Sequence, residues 1–579
     1  MAISKTPQFD SALDVILKPL APHERTCKKC TAIFKIDDED INFFRMLRVP
    51  PPTQCPKCRE RRRYGHLLRM PRFFKKKCGA LGHTEEVVTL FPPASPNIVY
   101  DVPYWYSDAW DAVSYGKYFN FSESFFSQFK DLFLSVPHLA VDRDLTATNC
   151  DYTVGGKWAK NNYYCGGGYK SEDCMYSPNP RFSKSCVDCT DIWNSEFCFA
   201  SVSVERSNHC VFIVDSANCL DSAFLYDCKN CSNCFLSSNL RNRSYVFQNE
   251  QLGREEYEKK IEDIDLGSRE VFGKYKELFD EMFEKSVHRA LANTNVVSSV
   301  GDRLTDCKNC FHTFDGSMGE NLRYVHSFNL MRDSMDILFA AENAEKCYEC
   351  GIAVGSYLKF SLYMRSSMEM EYCSDCQNCQ NCFGCVGLRN KSFHIFNKPY
   401  SEEEYWKVVD EIKTKMLENA EYGEFFDLSL GLIPYQSTSG QYYFPLNEKS
   451  ASERDIPWYP EPESHIPSGM ATIQGDSDTL ENIKGISHEM LQNAIICAET
   501  EKPFRVLDQE LDFYKMMRVP FPEKHPWERI LSRKKYQHKM ELFDFVCPKC
   551  SEKSFSVYSP EDQRRLKIFC EKCYLREVI

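Results

Sequence analysis

The sequence predicts a mainly β protein: a Cys-rich parallel β-solenoid in two duplicated halves with helical caps, flanked by terminal zinc ribbons. Three observations lead there. Eight cysteines fall in four C-x-x-C pairs, two pairs toward each end of the chain. Short segments such as SEDCMYS, SNHCVFIV and SANCLDSAF recur in the middle with Asn, Asp and Ser between them. Two long stretches of the chain also repeat themselves.

The elements follow in chain order. Residues 1–22 form a tail and 23–66 a ribbon. In the ribbon the knuckles Cys27/Cys30 and Cys55/Cys58 are set apart by a gap of 24. Each knuckle supplies two thiolates from one tight turn, and four thiolates satisfy the tetrahedral, soft-ligand preference of Zn²⁺. Pro56 stiffens the second knuckle. Residues 67–135 read as a degenerate second ribbon, where Cys78 alone remains and VYDVPYW stands in place of the second pair, followed by an aromatic connector.

Residues 136–250 form the first solenoid half. Cys165, Cys186, Cys210 and Cys231 follow one another at intervals of 21, 24 and 21, and Cys174, Cys198 and Cys219 at intervals of 24 and 21. A beat of about 20 residues with polar turns fits a parallel β-solenoid in which small buried cysteines stack in ladders. A helical segment spans 251–294, the second solenoid half 295–400 and a further helix 401–432, N-capped by Ser401 ahead of an acidic first turn. Residues 433–487 hold six prolines and read as a linker. Residues 488–540 are a degenerate ribbon copy. Residues 541–579 are a C-terminal ribbon in which Cys547/Cys550 and Cys570/Cys573 are set apart by a gap of 19.

Two duplications organise this layout. At an offset of 470, Cys27 aligns with Cys497, and Arg48-Val49-Pro50 with Arg518-Val519-Pro520. In the second copy Cys30, Cys55 and Cys58 become Thr500, His525 and Glu528. At an offset of 148, the segment from Asp227 aligns with that from Asp375; upstream the offset is 161, pairing Cys186/Cys189 with Cys347/Cys350.

Composition narrows the function classes. Thirty cysteines in 579 residues with metal-ligand spacing, and no basic-then-apolar leader at the start, lead to an expectation of free thiols, a cytoplasmic location and no membrane partner. The net charge is −12, but residues 23–80 carry 16 Lys/Arg against 6 Asp/Glu. Phosphate-binding loops, dinucleotide fingerprints and metalloprotease or nucleophile-elbow motifs do not occur.

The pattern C-x-x-C-x-x-x-F, an acidic stretch, an aromatic pair and PP-x-x-C-P-x-C-R-x-x-R-R is carried by Cys27, Cys30, Phe34, Phe43, Phe44, Pro51, Pro52, Cys55, Pro56, Cys58, Arg59, Arg62 and Arg63. It resembles a family of zinc-ribbon modules without an assigned activity. The whole layout resembles multi-ribbon, Cys-rich repeat proteins of small-genome bacteria. The resemblance implies zinc binding and supplies no activity. Thr31 stands where those modules have Gly.

After the last ligand come Arg59, Arg61, Arg62, Arg63, Arg69, Arg72, Lys75, Lys76 and Lys77, interleaved with Tyr64, Phe73 and Phe74. Such a run can contact the phosphates and bases of RNA, DNA or a ribosome. It can equally be a solvated face, or one that pairs with the acidic body of the same chain. Cys373, Cys376, Cys379, Cys382 and Cys385 recur every third residue. That spacing fits solenoid packing, a further metal site or, less well, an iron–sulfur cluster, since the fourth ligand followed by Pro is absent. The reading that follows is a zinc-binding cytoplasmic scaffold or adaptor, not an enzyme, that contacts nucleic acid through its basic N-terminal ribbon, with protein partners also open. Its alternatives are a metal or redox protein using the central cysteines, and a solenoid enzyme acting on carbohydrate.

Overall fold

The computed structural model describes residues 4–70, 72–340, 343–460 and 465–578. The first three residues of the tail, residues 461–464 of the expected linker and the last residue of the C-terminal ribbon lie outside them. The chain divides into two compact units. The first comprises Met1–Leu68, Arg72–Ala140 and Ala292–Pro460; the second comprises Arg69–Pro71, Val141–Leu291 and Glu461–Ile579. Each joins one set of ribbon elements to one Cys-rich β region.

Each unit is built on a nine-stranded sheet with mainly parallel pairing. In the second unit Asn208 pairs with Leu220, Leu220 with Ser232 and Ser232 with Ser244, so each step runs from i to i+12. In the first unit Met368 pairs with Gln380 and Gln380 with Ser392, again by 12. The structural repeat is therefore this i to i+12 step, which corrects the longer beat expected from the cysteines. Cysteine separations of 24 span two steps, and those of 21 span seven triplets.

The triplet is visible in the backbone. From Lys170 to Gln248 every third residue has a positive φ near 50°, and the same holds from Arg303 to Phe339. Left-handed backbone costs L-residues roughly 1–2 kcal/mol each, so something must hold it in place. Part of the answer is side-chain ladders at the bends. Asn149 Nδ2 donates to Asn161 Oδ1 and Asn161 Nδ2 to Asp173 Oδ1, both at 3.0 Å. Asn309, Asn321 and Asp333 repeat this in the first unit.

The residue after many of the bends is small and buried, and it satisfies the main chain of neighbouring steps. Ser177 Oγ lies 2.9 Å from the Met175 carbonyl and 3.3 Å from that of Cys186, and accepts the Cys189 N–H at 3.0 Å. Cys174 Sγ stands in the same way 3.4 Å from the Glu172 carbonyl and 3.6 Å from that of Ser183. The cysteines of 165–234 thus form one apolar core with Ile192, Val204, Ile213, Leu225 and Val246.

The expected helices form, and they pack on the sides of the sheets. Helix Arg269–Lys285, N-capped by Ser268, sets Phe272, Tyr275 and Phe279 against Phe224 and its neighbours. Helix Glu402–Glu418 has the expected N-cap at Ser401, which forms a capping box with Glu404. Two expectations are corrected. The tail contains helix Pro7–Leu17, whose first N–H groups at Gln8 and Phe9 donate to Asp410 and whose Phe9, Leu13 and Leu17 are buried. Residues 433–460 are no loose linker, for Tyr435, Gln436, Ser437, Thr438, Tyr442, Ala451 and Ile456 are buried in the first unit. No helix among the described residues is long and apolar enough to cross a membrane.

Candidate metal centres

The first ribbon opens with an antiparallel pair, His23–Thr26 with Ile33–Ile36. Its turn is closed by the Cys27 N–H on the Ala32 carbonyl at 2.8 Å and the Thr31 N–H on the Cys27 carbonyl at 3.0 Å. Thr31 adopts φ 61°, a left-handed conformation that Gly takes at less cost. Helix Asp38–Leu47 follows, held at its start by the Asp37/Asp40 capping box. Cys55 is the N-cap of helix Pro56–Tyr64, with Pro56 and Cys58 in its first turn. The four sulfurs lie within 4.8 Å of one another. Cys30 Sγ and Cys55 Sγ are 3.7 Å apart. Two thiolates each ~2.3 Å from a tetrahedral zinc stand about 3.8 Å apart, so the spacing is that of ligands and not of a disulfide.

The C-terminal ribbon repeats this geometry. Cys547, Cys550, Cys570 and Cys573 gather within the same limit, and Cys550 Sγ lies 3.6 Å from Cys570 Sγ. Two four-cysteine groups can therefore hold a metal. In each knuckle main-chain donors favour the thiolate. Burial raises the Cys547 thiol, but the N–H groups of Cys570, Cys550 and Lys549 outweigh it and hold it at about 6. The Cys58 thiol, backed by its main-chain N–H, draws the Cys55 thiol down, while Cys58 itself moves up.

In the basic run beyond Cys58 the structure meets the alternative in which the arginines pair with the acidic body of the same chain. Arg59, Arg62 and Arg63 are buried. Arg59 Nε donates to Asp336 Oδ2 at 2.8 Å. Arg63 Nη1 bridges Asp336 Oδ1 and Glu349 Oε1, each at 3.0 Å, and Arg62 pairs with Glu349 Oε2. They cannot present phosphate-binding forks to a nucleic acid in this arrangement. Arg61 lies 5.8 Å over the Phe444 ring, Arg72 Nη1 donates to the Gln436 carbonyl, and Arg69 is half-buried. Lys76 Nζ is tied to the Ser95 and Asn97 carbonyls at 2.7 and 2.8 Å. Only Lys75 and Lys77 of the nine are exposed.

Residues 488–540, expected to be a degenerate ribbon copy, place two arginines in the same way without a four-cysteine set. Helix Pro526–Arg533, N-capped by His525, sends Arg529 Nη1 to Asp188 Oδ2 at 2.7 Å and Arg533 Nη1 to Asp188 Oδ1 at 3.1 Å. Arg529 and Arg533 align with Arg59 and Arg63 at the offset of 470, and Asp188 with Glu349 at 161.

Cys373, Cys376, Cys379, Cys382 and Cys385 are buried, and each thiol faces main-chain carbonyls. Cys373 Sγ also accepts the Cys385 N–H, one 12-residue step on. Burial pushes the Cys373 and Cys376 thiols well up, whereas hydrogen bonds from Cys376 and Cys382 pull Cys379 down to about 4. The five do not converge. Among the described residues, the groups whose ligand atoms gather within 4.8 Å are the two four-cysteine sets and Cys78, His83 and Asp101. The last set was not legible as ligands in the sequence.

One surface feature also escaped the sequence reading. Trp158, Tyr169, Phe182 and Trp193 form a ladder on the second unit, with ring centroids 5.6, 5.3 and 6.2 Å apart. Trp158, Phe182 and Trp193 are 46%, 43% and 51% exposed. Lys157 Nζ lies 4.4 Å from the Trp158 ring, and Lys170 Nζ lies within 5.7 Å of Trp158, Tyr169 and Phe182. The signal was the series Trp158, Lys170 and Phe182, which follows the i to i+12 step.

No protein-family model matches the chain, and no curated protein matches it. A solved structure whose title gives a provisional acetyltransferase assignment, from Desulfovibrio desulfuricans, is similar over 40% of this chain and 63% of its own, at 11% identity and a TM-score of 0.11. The chain thus spans less than two-thirds of that protein's length, and a likeness at this level carries no argument about fold or function.

Proposed function

We propose that this protein is a zinc-stabilised scaffold that binds single-stranded nucleic acid, RNA foremost, on the aromatic ladder of its second unit. The two four-cysteine groups are structural zinc sites in this reading, since four thiolates leave no coordination position for substrate or water. The N-terminal zinc fastens Cys55 and Cys58 at the head of the helix that inserts Arg59, Arg62 and Arg63 into the body of the first unit. The 12-residue parallel step, continued over many strands, supports a β-solenoid as the rigid support, and the matching ribbon and sheet elements of the two units support an ancient duplication.

The observation that carries the reading is the exposed ladder with lysines set between its rings. Aromatic faces accept bases of any sequence, each stack contributing roughly 1–3 kcal/mol, while cations follow the phosphates. An uncharged glycan would use the rings but has no need of Lys157 and Lys170. The basic N-terminal run is left with Lys75 and Lys77 as a secondary contact.

Fluorescence anisotropy with a short labelled oligoribonucleotide tests this. The full-length protein should bind it at low salt, lose affinity steeply as salt rises, and lose at least tenfold in the W158A/W193A double variant. Binding that is unchanged in that variant, or absent at low salt, rules the ladder out. Binding lost instead in a K75S/K77S variant returns the site to the N-terminal hairpin.

A further inference from the structure

The 72–140 segment of the first unit and the C-terminal ribbon of the second place residues in the same frame. In the ribbon, strands Phe543–Val546 and Lys553–Ser556 pair antiparallel. Cys547 directly follows the first strand, and Cys550 stands three residues before the second. Strand Lys567–Phe569 pairs parallel with Val287–Arg289. Cys570 directly follows it, and Cys573 comes three residues later, in helix Glu571–Val578.

In the first unit, strands Phe74–Lys77 and Glu86–Thr89 pair antiparallel. Cys78 directly follows the first, and His83 stands three residues before the second. Strand Val99–Tyr100 pairs parallel with His138–Leu139. Asp101 directly follows it, and Tyr104 comes three residues later, in helix Val102–Tyr106. The turn closes alike in both: the first cysteine's N–H reaches the carbonyl of the residue just before the second strand, Cys78 to Glu85 at 3.1 Å and Cys547 to Glu552 at 2.9 Å. The four ligand positions of a ribbon are thus filled by Cys, His, Asp and Tyr. A hairpin loop two residues longer brings His83 into register.

The side chains converge accordingly. Cys78 Sγ, a ring nitrogen of His83 and a carboxylate oxygen of Asp101 lie within 4.8 Å of one another. His83 Nδ1 is buried, with Glu85 Oε1 at 2.8 Å and Asp101 Oδ1 at 3.9 Å. Tyr104, at the fourth position, packs its ring 4.9 Å from that of His83.

We propose that Cys78, His83 and Asp101 bind a third divalent metal of the zinc class. Thiolate, imidazole and carboxylate together suit zinc, and three protein ligands leave a fourth position for water or the Glu85 carboxylate. The site differs from the four-cysteine centres in keeping that position exchangeable, so its metal leaves first under a chelator.

The test is zinc per chain, measured by elemental mass spectrometry on full-length protein after dialysis against micromolar zinc. Wild type is compared with H83Q and D101N, whose folding is checked by circular dichroism. His83 is partly exposed, so H83Q keeps the test open if D101N or C78S misfolds. Each folded variant should bind one equivalent fewer than wild type, and a mild chelator should strip that equivalent from wild type before the rest. The comparison does not depend on how many of the four-cysteine centres are filled. Equal zinc in wild type and H83Q overturns the proposal.

Discussion

Replacing Arg63 with Met should destabilise the first unit by about 3 kcal/mol, the lower end of what breaking a buried ion pair costs. The Arg63 side chain is fully buried and shares one guanidinium nitrogen between Asp336 and Glu349, themselves 0% and 1% exposed. Burial already pushes the Glu349 carboxyl up, against the pull of Arg62 and Arg63. Removing one partner of a buried pair costs roughly 3–5 kcal/mol, because the remaining charge stays out of water without compensation. Arg59 and Arg62 still hold one carboxylate each, which places the effect at the lower end. At about 1.4 kcal/mol per tenfold, that is about two orders of magnitude in the opening equilibrium. Hydrogen exchange read by mass spectrometry gives this directly, as about 100-fold faster exchange in peptides covering 56–64 and 345–350. Peptides of the second unit should be unaffected and serve as the reference. Unchanged exchange at 56–64 would refute the reasoning and put these arginines back at a solvated surface. For the same reason, changing Arg61, Arg62 and Arg63 together to serine should report on folding and not on phosphate contacts.

Two further predictions concern buried groups. His288 Nε2 donates to the Phe283 carbonyl at 2.9 Å and Nδ1 faces the Tyr226 hydroxyl at 2.7 Å, so the ring is neutral, and burial lowers it to about 4. An unfolded histidine takes its proton at about 6.5. The contribution is therefore intact above pH ~6.5 and is lost as pH falls toward 4, by about 3 kcal/mol in all. Urea titrations at stepped pH should show a shallower acid loss in H288N than in wild type, and parallel curves would contradict this. Cys373 sits one step from Ser361, whose Oγ accepts its N–H at 3.1 Å. C373S should therefore cost no more than about 1 kcal/mol, within the range of a typical buried hydrogen bond, and C376L about 1–3 kcal/mol through overpacking. A visible absorbance band in the wild type that C373S loses, together with a large loss of stability, would instead mark the run as a cluster.

The two four-cysteine centres were legible because both knuckles of each lie within one short stretch, and residue type alone identifies the chemistry. For the basic run the sequence left pairing within the chain and contact with phosphates equally open, because Asp336 and Glu349 lie 277 and 286 residues from Arg59 and Arg63. Charge composition gives the sign of such a segment but not whether a partner buries it. The repeat length was misread because the cysteines mark only some triplets, and their separations of 21 and 24 average to a false period. The bends carry the true one: Asn149, Asn161 and Asp173, like Asn309, Asn321 and Asp333, recur at 12. The grouping of Cys78, His83 and Asp101 stayed hidden because His and Asp stand where the ribbon pattern has Cys, and the hairpin loop is two residues longer. Its strands and turn closure match the frame of the C-terminal ribbon, which the residue types do not spell.

Ultraviolet cross-linking of the full-length protein to a short oligoribonucleotide, with the modified peptides identified by mass spectrometry, tests most directly whether single-stranded nucleic acid lies along the aromatic ladder. Cross-links at Trp158, Tyr169, Phe182 and Trp193 are the predicted result. Cross-links confined to the hairpin that carries Lys75 and Lys77, or none at low salt, would contradict it.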